Sequence, residues 1–436
     1  MRAKDKLYMT ILIKNATIIL CDDDSPGVGD VLIADGKIDK LGGCLDAAAD
    51  KIIDAAGLTV MSGFVDMHCH LREPGQEHKE TIESGSRAAA AGGFVTVACM
   101  PNTVPVLDTP KLIDGVIKKA KAAASCRVLP IGAVTHGQNG AELTDFAGLY
   151  KAGAAALSDD GRPVGDSALM KKALISANKL DIALISHCED LSIVGHGVIN
   201  EGATSAKLGV GGISRAAEDI MTARDVILAS TYNVPVHIAH VSTIGSLNTI
   251  RAAKNRGVRI TCETCPHYFC LDDSRVEAVG SYAKINPPLR TKDDVMAVVE
   301  AIIDGTIDVI ATDHAPHAKD EKARSLDKAP FGSIGLETAF SATYTYLVKP
   351  GHITLQKLSR LMSSAPSKIL KLSGGKLVVG GVADLVIVDT NASYTVNGDK
   401  MQSKSSNTVF EGMQLYGKVV TTITDGEIKY DNRYTK

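Results

Sequence analysis

The chain has no strong excess of one charge. Its 47 lysines and arginines face 50 aspartates and glutamates, a formal charge of -3. Without a basic tail or stripe it lacks the electrostatic footprint of a nucleic-acid-binding protein. Long hydrophobic runs are missing too. None reaches the roughly 18 to 20 residues of a membrane helix, and the longest candidate, around Ala88 to Met100, is broken at Gly92-Gly93. The basic segment Met1 to Lys6 is followed only by Thr10 to Ile13 before Lys14, too short for the apolar region of a signal peptide. Whether residues 1–8 are native or upstream sequence is left open by the residues. A disulfide framework is absent as well. The nine cysteines are an odd number in mostly apolar surroundings, such as Cys99, Cys126 and Cys188, which points to free thiols in a reducing cytoplasm. Cys262-x-x-Cys265 has no second pair at finger spacing, which argues against structural zinc. Finally, no Gly-x-Gly-x-x-Gly follows the first strand of the alternating region, which counts against a doubly wound dinucleotide fold.

What is present is a chain of 436 residues, 45% hydrophobic, enough for a large core in one large or two unequal domains. The first sixty residues read as short strands: Thr10 to Lys14, Thr17 to Cys21, Val31 to Ala34, Lys37 to Leu41, Lys51 to Asp54 and Leu58 to Met61, with an Asp35-Gly36 turn between two of them. The C-terminus repeats this texture at Leu385 to Asp389, Val419 to Thr424 and Glu427 to Tyr430, with Asp425-Gly426 as the turn. The two ends are expected to complete one small β-sandwich domain, residues 1–61 and 375–436.

Between them, apolar strand candidates end near His68, Cys99, Ile131, Ser158, Ser186, Ala239, Cys262 and Thr312. They alternate with helical stretches at Glu80 to Ala91, Pro110 to Ala124, Ser167 to Lys179, Ala216 to Ser230, Ile244 to Arg256 and Thr291 to Gly305. Such alternation predicts a (β/α)8 barrel over residues 62–374, whose chemistry should sit at the C-terminal strand ends.

Polar, metal-ligating residues do collect there. His68 and His70 are two apart on an extended segment and project to one side. Arg72 continues the alternation with a planar cation suited to a carboxylate. The second strand ends in Met100-Pro101-Asn102-Thr103, the fourth in Ser158-Asp159-Asp160-Gly161, the fifth in His187-Cys188-Glu189-Asp190, the sixth in His240 and the eighth in Asp313-His314-Ala315-Pro316-His317. A lone histidine at an apolar strand end is ordinarily a packed residue. Four imidazoles and two carboxylates converging on one mouth would be costly without compensation. Two divalent ions, best zinc, explain both composition and placement. Of Asp159 and Asp160 only one can point inward; the residues alone do not choose between them. His237 is expected to face the helices, and His267 and His314 to support or pack.

These motifs, with Lys284-Ile285-Asn286-Pro287-Pro288-Leu289-Arg290 and Pro330-Phe331-Gly332, run in order over most of the chain. Together they resemble the dihydroorotases of the amidohydrolase superfamily, in the type whose bridging residue is aspartate. The resemblance implies His68, His70, Asp160 and Asp313 as ligands of one zinc ion, and Asp160, His187 and His240 as ligands of a second. It assigns His70, Arg72, Asn102, Asn286, His317, Phe331 and Gly332 to substrate binding and Asp313 to catalysis as general base, then acid. No lysine stands at the fourth strand end, so no carboxylated lysine is expected. The implied reaction is the reversible interconversion of L-dihydroorotate and N-carbamoyl-L-aspartate in pyrimidine (UMP) synthesis, by metal-activated hydroxide. The alternatives are another cyclic amidohydrolase (hydantoinase, dihydropyrimidinase or allantoinase) or a non-catalytic partner of aspartate transcarbamoylase. The resemblance further implies a cytoplasmic homodimer and leaves association with aspartate transcarbamoylase open. The charged segment 318–328 reads as a mobile lid or a solvated loop.

Overall fold

The computed structural model describes residues 9–21 and 27–433, so the segment before Met9 lies outside the described residues. Eight parallel strands occupy the middle of the chain: Phe64–Cys69, Phe94–Cys99, Arg127–Pro130, Ala156–Ser158, Ala183–Ser186, Val236–Ile238, Ile260–Thr264 and Val309–Ile310. Ladders join the first to the third and the fourth to the eighth. Two joins close the ring. Gly132 donates to the Ala156 carbonyl at 3.0 Å and accepts from the Ser158 amide at 2.9 Å, linking third to fourth. The His70 amide donates to the His314 carbonyl at 2.8 Å, and Asp66 accepts from the Thr312 amide at 3.1 Å and hydroxyl at 2.5 Å, linking first to eighth.

The strands are buried on both faces, which is why they read as apolar runs. Val65, Met67, Ala98, Ile131, Ile185, Ala239 and Val309 fill the barrel interior, closed below by Leu370. Phe94, Val97, Leu184, Ile260 and Ile310 face outward and pack with Ala88, Leu174, Val226, Ile250 and Ile302. The helices begin where capping chemistry permits. Thr81 and Ser84 cap Ile82–Ala91 reciprocally, Asp166 accepts from the Leu169 amide, and Thr291 pairs with Asp294 before Lys292–Asp304. The helix after the third strand, Phe146–Ala152, buries only Phe146 and Leu149. Seven residues are too few to establish a helical period, so the sequence pattern does not reveal it. The eighth unit continues into helical stretches over 339–348 and 355–369.

The chain ends build one sheet. Its order runs Glu427–Asp431, Gln414–Thr424, Leu385–Thr395, Thr59–Ser62, Ile11–Ile18, Gly27–Ala34, Lys37–Leu41, with Lys51–Asp54 added against Ile11–Ile18. The expected strands Thr10 to Lys14 and Thr17 to Cys21 are a single strand, Ile11–Ile18, with a register shift between Ile13 and Ala16 where Asn15 has φ 62°. Asn is among the residues that tolerate this backbone, so the chain bulges rather than turns. The sheet curls back on itself. The Ile38 amide donates to the Gly381 carbonyl at 2.9 Å, and the Gly380 amide to the Ile38 carbonyl at 2.8 Å. Enclosed within lies an aliphatic core of Ile11, Ile13, Val31, Ile33, Ile53, Val60, Leu385, Ile387 and Ile423.

Candidate active site

The C-terminal mouth of the barrel gathers buried histidines and carboxylates. His68, His70 and Asp160 place ligand atoms within 4.8 Å of one another, and so do Asp160, His187 and His240. Asp160 is common to both groups. Its Oδ1 lies 3.3 Å from His68 Nε2 and 3.4 Å from both His187 Nδ1 and His240 Nε2, while Oδ2 is 3.5 Å from His70 Nε2. Asp313 Oδ1 lies 3.1 Å from His70 Nε2 and 3.7 Å from His68 Nε2. All six residues are buried.

The structure separates the two adjacent aspartates. Asp159 turns outward and accepts the Val134 amide at 2.8 Å, the Thr135 amide at 3.1 Å and the Thr135 hydroxyl at 2.5 Å. Burial pushes its carboxyl up to about 6. Burial also acts against ionisation of Asp160, but the ring of histidines overrides it and holds this carboxyl well below its usual range.

A buried cluster of this kind could hold a compensating cation. His68 Nε2 and Asp160 Oδ1 face each other yet make no hydrogen bond, a cost unless a cation takes both. Five nitrogen and oxygen ligands around a shared carboxylate suit divalent zinc-type ions. The backbone is set accordingly. Arg72 (φ 60°), His240 (φ 34°) and Asp313 (φ 44°) all occupy the left-handed region, where non-glycine residues persist only if their surroundings hold them.

Beside the cluster stands a polar wall. Arg72 Nε donates to the Pro316 carbonyl at 3.1 Å, and its guanidinium lies 3.2 Å from His317 Nε2. His317 Nε2 is 2.8 Å from the Phe331 carbonyl oxygen. Asn102 Oδ1 is 2.9 Å from His70 Nδ1. Arg72, Asn102 and Asp160 line one cavity of about 430 Å³ with Gln138 and Arg162. Asn286 stands slightly apart, donating to Glu189 Oε2 at 3.1 Å, and Glu189 in turn meets His187 Nε2 at 3.0 Å. Gly332 is required where it stands. At φ 142° an added Cβ would lie 2.6 Å from the Ala315 carbonyl oxygen and 3.0 Å from His317 Cδ2.

Sequence reasoning missed two residues of this environment. Glu263 is fully buried on the seventh strand, 2.6 Å from His68 Nδ1 and 3.2 Å from His237 Nε2. Burial works against its charge, yet His68 and His237 hold its carboxyl at about 2. A carboxylate on the second nitrogen of a metal-binding imidazole fixes ring and tautomer. The available signal was a lone acid near an apolar strand end. His237, expected to face the helices, turns into the barrel instead, because Thr261 at 2.8 Å and Glu263 satisfy both its ring nitrogens there. Asn407 is the second. It accepts the His317 amide at 3.1 Å and donates to the Gly332 carbonyl at 3.0 Å, and nothing in its irregular sequence context marks it.

The fold is shared with known proteins. An L-hydantoinase (dihydropyrimidinase) from Arthrobacter aurescens superimposes with a TM-score of 0.88 at 24% identity, over 97% of this chain and 96% of that one. A D-hydantoinase matches with a TM-score of 0.86 at 26% identity, over 98% and 96%. The class this defines is a cyclic amidohydrolase, with histidines and carboxylates grouped so that they could hold a metal ion. Residues 57–246 match the dihydro-orotase-like family model. A dihydroorotase of Ruminiclostridium cellulolyticum is 51% identical over 418 residues, covering 96% of this chain and 98% of the relative, and one of Pelobacter propionicus is 50% identical over 426 residues, covering 97% and 100%. The chain belongs to the dihydroorotase family.

Proposed function

We propose that this chain interconverts L-dihydroorotate and N-carbamoyl-L-aspartate, with zinc held by His68, His70, Asp160 and Asp313 at one position and by Asp160, His187 and His240 at a second. The observation that carries this reading is that Arg72 lines the same cavity as Asp160. A ring amide needs the metal-ligating cluster, and a ring carboxylate needs the cation. When bound, the ions would acidify a water and polarise the amide carbonyl. Asp313, against His70 and His68 at the mouth, is placed to take the proton and return it to the leaving amide nitrogen. Arg72, Asn102 and His317 would hold the carboxylate, with Asn286 and the Phe331-Gly332 backbone orienting the ring. Glu263 would keep His68 in the tautomer that presents Nε2.

We take residues 62–374 as the catalytic barrel and 1–61 with 375–436 as the accompanying domain. No described helix is long and apolar enough to cross a membrane. A cytoplasmic homodimer remains part of the proposal, and association with aspartate transcarbamoylase is not required by it. The likeness to hydantoinases favours one competing reading, hydrolysis of an uncharged cyclic amide. Turnover of L-dihydroorotate, hydantoin and dihydrouracil by zinc-loaded protein decides between them. Preference for L-dihydroorotate is expected; preference for either uncharged ring would overturn the substrate assignment.

A further inference from the structure

The segment 318–328 after the eighth strand is exposed over much of its length, but one residue of it is not. Lys322 closes the one-turn helix Lys319–Lys322 and is 1% exposed, and among the described residues its ammonium meets backbone carbonyls rather than a carboxylate. A buried lysine without an anion is costly unless every N–H is satisfied. Here each has an acceptor: the carbonyls of Pro330 at 2.9 Å, Gly332 at 2.9 Å and Lys284 at 3.2 Å. Three donors meet three acceptors.

The choice of carbonyls is informative. Pro330 and Gly332 flank Phe331. With both of their oxygens turned to Lys322, the carbonyl between them turns the other way, and it is the one 2.8 Å from His317 Nε2. His317 in turn lies against the Arg72 guanidinium. The third acceptor, Lys284, stands two residues before Asn286, and its carbonyl also receives the Gly332 amide at 2.9 Å. A second buried lysine braces the same segment from the other side. Lys284 Nζ donates to the Leu326 carbonyl at 2.7 Å and lies 4.5 Å from the centre of the Phe331 ring.

We propose that Lys322 is a positioning residue for the substrate-binding wall: by gripping the carbonyls on both sides of Phe331 it aims the Phe331 carbonyl at His317, and so fixes the imidazole beside Arg72. Lys322 touches no reacting atom. This inference rests on the reading of that wall as the carboxylate-binding side.

Its test is steady-state kinetics of zinc-loaded wild type, K322M and K322R with L-dihydroorotate, alongside metal analysis. K322M is expected to raise KM about tenfold, with kcat within threefold and metal content unchanged. K322R, which keeps a cation and several donors, is expected to recover much of the lost affinity. A merely structural lysine would lower the active fraction and leave KM where it was, so an unchanged KM in K322M overturns the proposal. So does a K322R that binds no better than K322M. Should K322M fail to fold, K322Q keeps two donors and is measured in its place; a wild-type KM there is equally fatal. Absence of wild-type turnover on L-dihydroorotate, by contrast, defeats the substrate reading itself.

Discussion

The mouth of the barrel and the sheet made from the chain ends are both buried, and they are built on opposite principles. The mouth packs imidazoles, carboxylates and a guanidinium together and holds three non-glycine residues in left-handed backbone. The end sheet encloses an aliphatic cluster of Ile11, Ile13, Val31, Ile33, Leu385, Ile387 and Ile423. The first arrangement costs folding free energy and supplies chemistry. The second gains it by removing apolar area from water, at about 25 cal/mol per Å². Stability and reactivity are therefore separable in this molecule, and substitutions should divide along the same line.

The sharpest division is expected at Asp313. D313A should lower kcat on the order of a thousandfold, the range of a lost general base, with bound metal still substantial, held by the remaining ligands, and the thermal midpoint near wild type. A variant that stays active would break the assignment, and one that unfolds would break the comparison. The converse experiment is I387A in the end sheet. It should cost about 2–5 kcal/mol of unfolding free energy while the folded enzyme keeps its KM; urea titration and kinetics on the same preparation read both. Next in size, R72M should reduce kcat/KM by roughly 10- to 100-fold, as loss of a charge-assisted contact of about 1.5–3 kcal/mol would, chiefly through KM. An equal response from hydantoin would show that the arginine does not read the carboxylate.

The smallest expected effect lies at the seam. Glu337 lines a cavity with Ala91, Tyr394, Lys418 and Tyr430 and accepts the Gln402 amide at 2.9 Å and the Ser403 amide at 3.1 Å. Burial pushes its carboxyl up to about 7. A raised folded-state value means that the unfolded chain gives up this proton at lower pH. The stabilisation is complete below the ordinary glutamate range and is lost as pH rises through about 7. E337Q should match wild type at pH 5 and exceed it at pH 8, by about 1–2 kcal/mol. Parallel urea midpoints at the two pH values, with no gain at pH 8, would rule this out.

The barrel strands and six of the long helices were legible because burial on both faces makes each strand an apolar run, and because the polar residues stand at its end. His68, His70, His187, His240 and Asp313 announce themselves in this way. The choice between Asp159 and Asp160 was not legible from the residues, since it turns on Thr135, 24 residues away, offering its hydroxyl to one of them. Glu263 was hidden for the same reason on a longer scale, its partner His68 lying 195 residues away. Asn407 and Lys322 bind backbone groups, and a carbonyl oxygen carries no sequence signature. The bulge at Asn15 made one strand read as two because its left-handed residue interrupts the apolar alternation.

One feature of the end sheet governs the order of events during synthesis. Thr59–Ser62 pairs with Ile11–Ile18 on one side and with Leu385–Thr395 on the other. At ribosomal rates of roughly 5–20 residues per second, its second neighbour emerges tens of seconds after the first. Throughout that interval a strand carrying Val60 and Met61 offers an unsatisfied edge. The nascent chain must complete a whole barrel before that edge is sealed, so anything that delays the barrel also prolongs the exposure of an aggregation-prone strand.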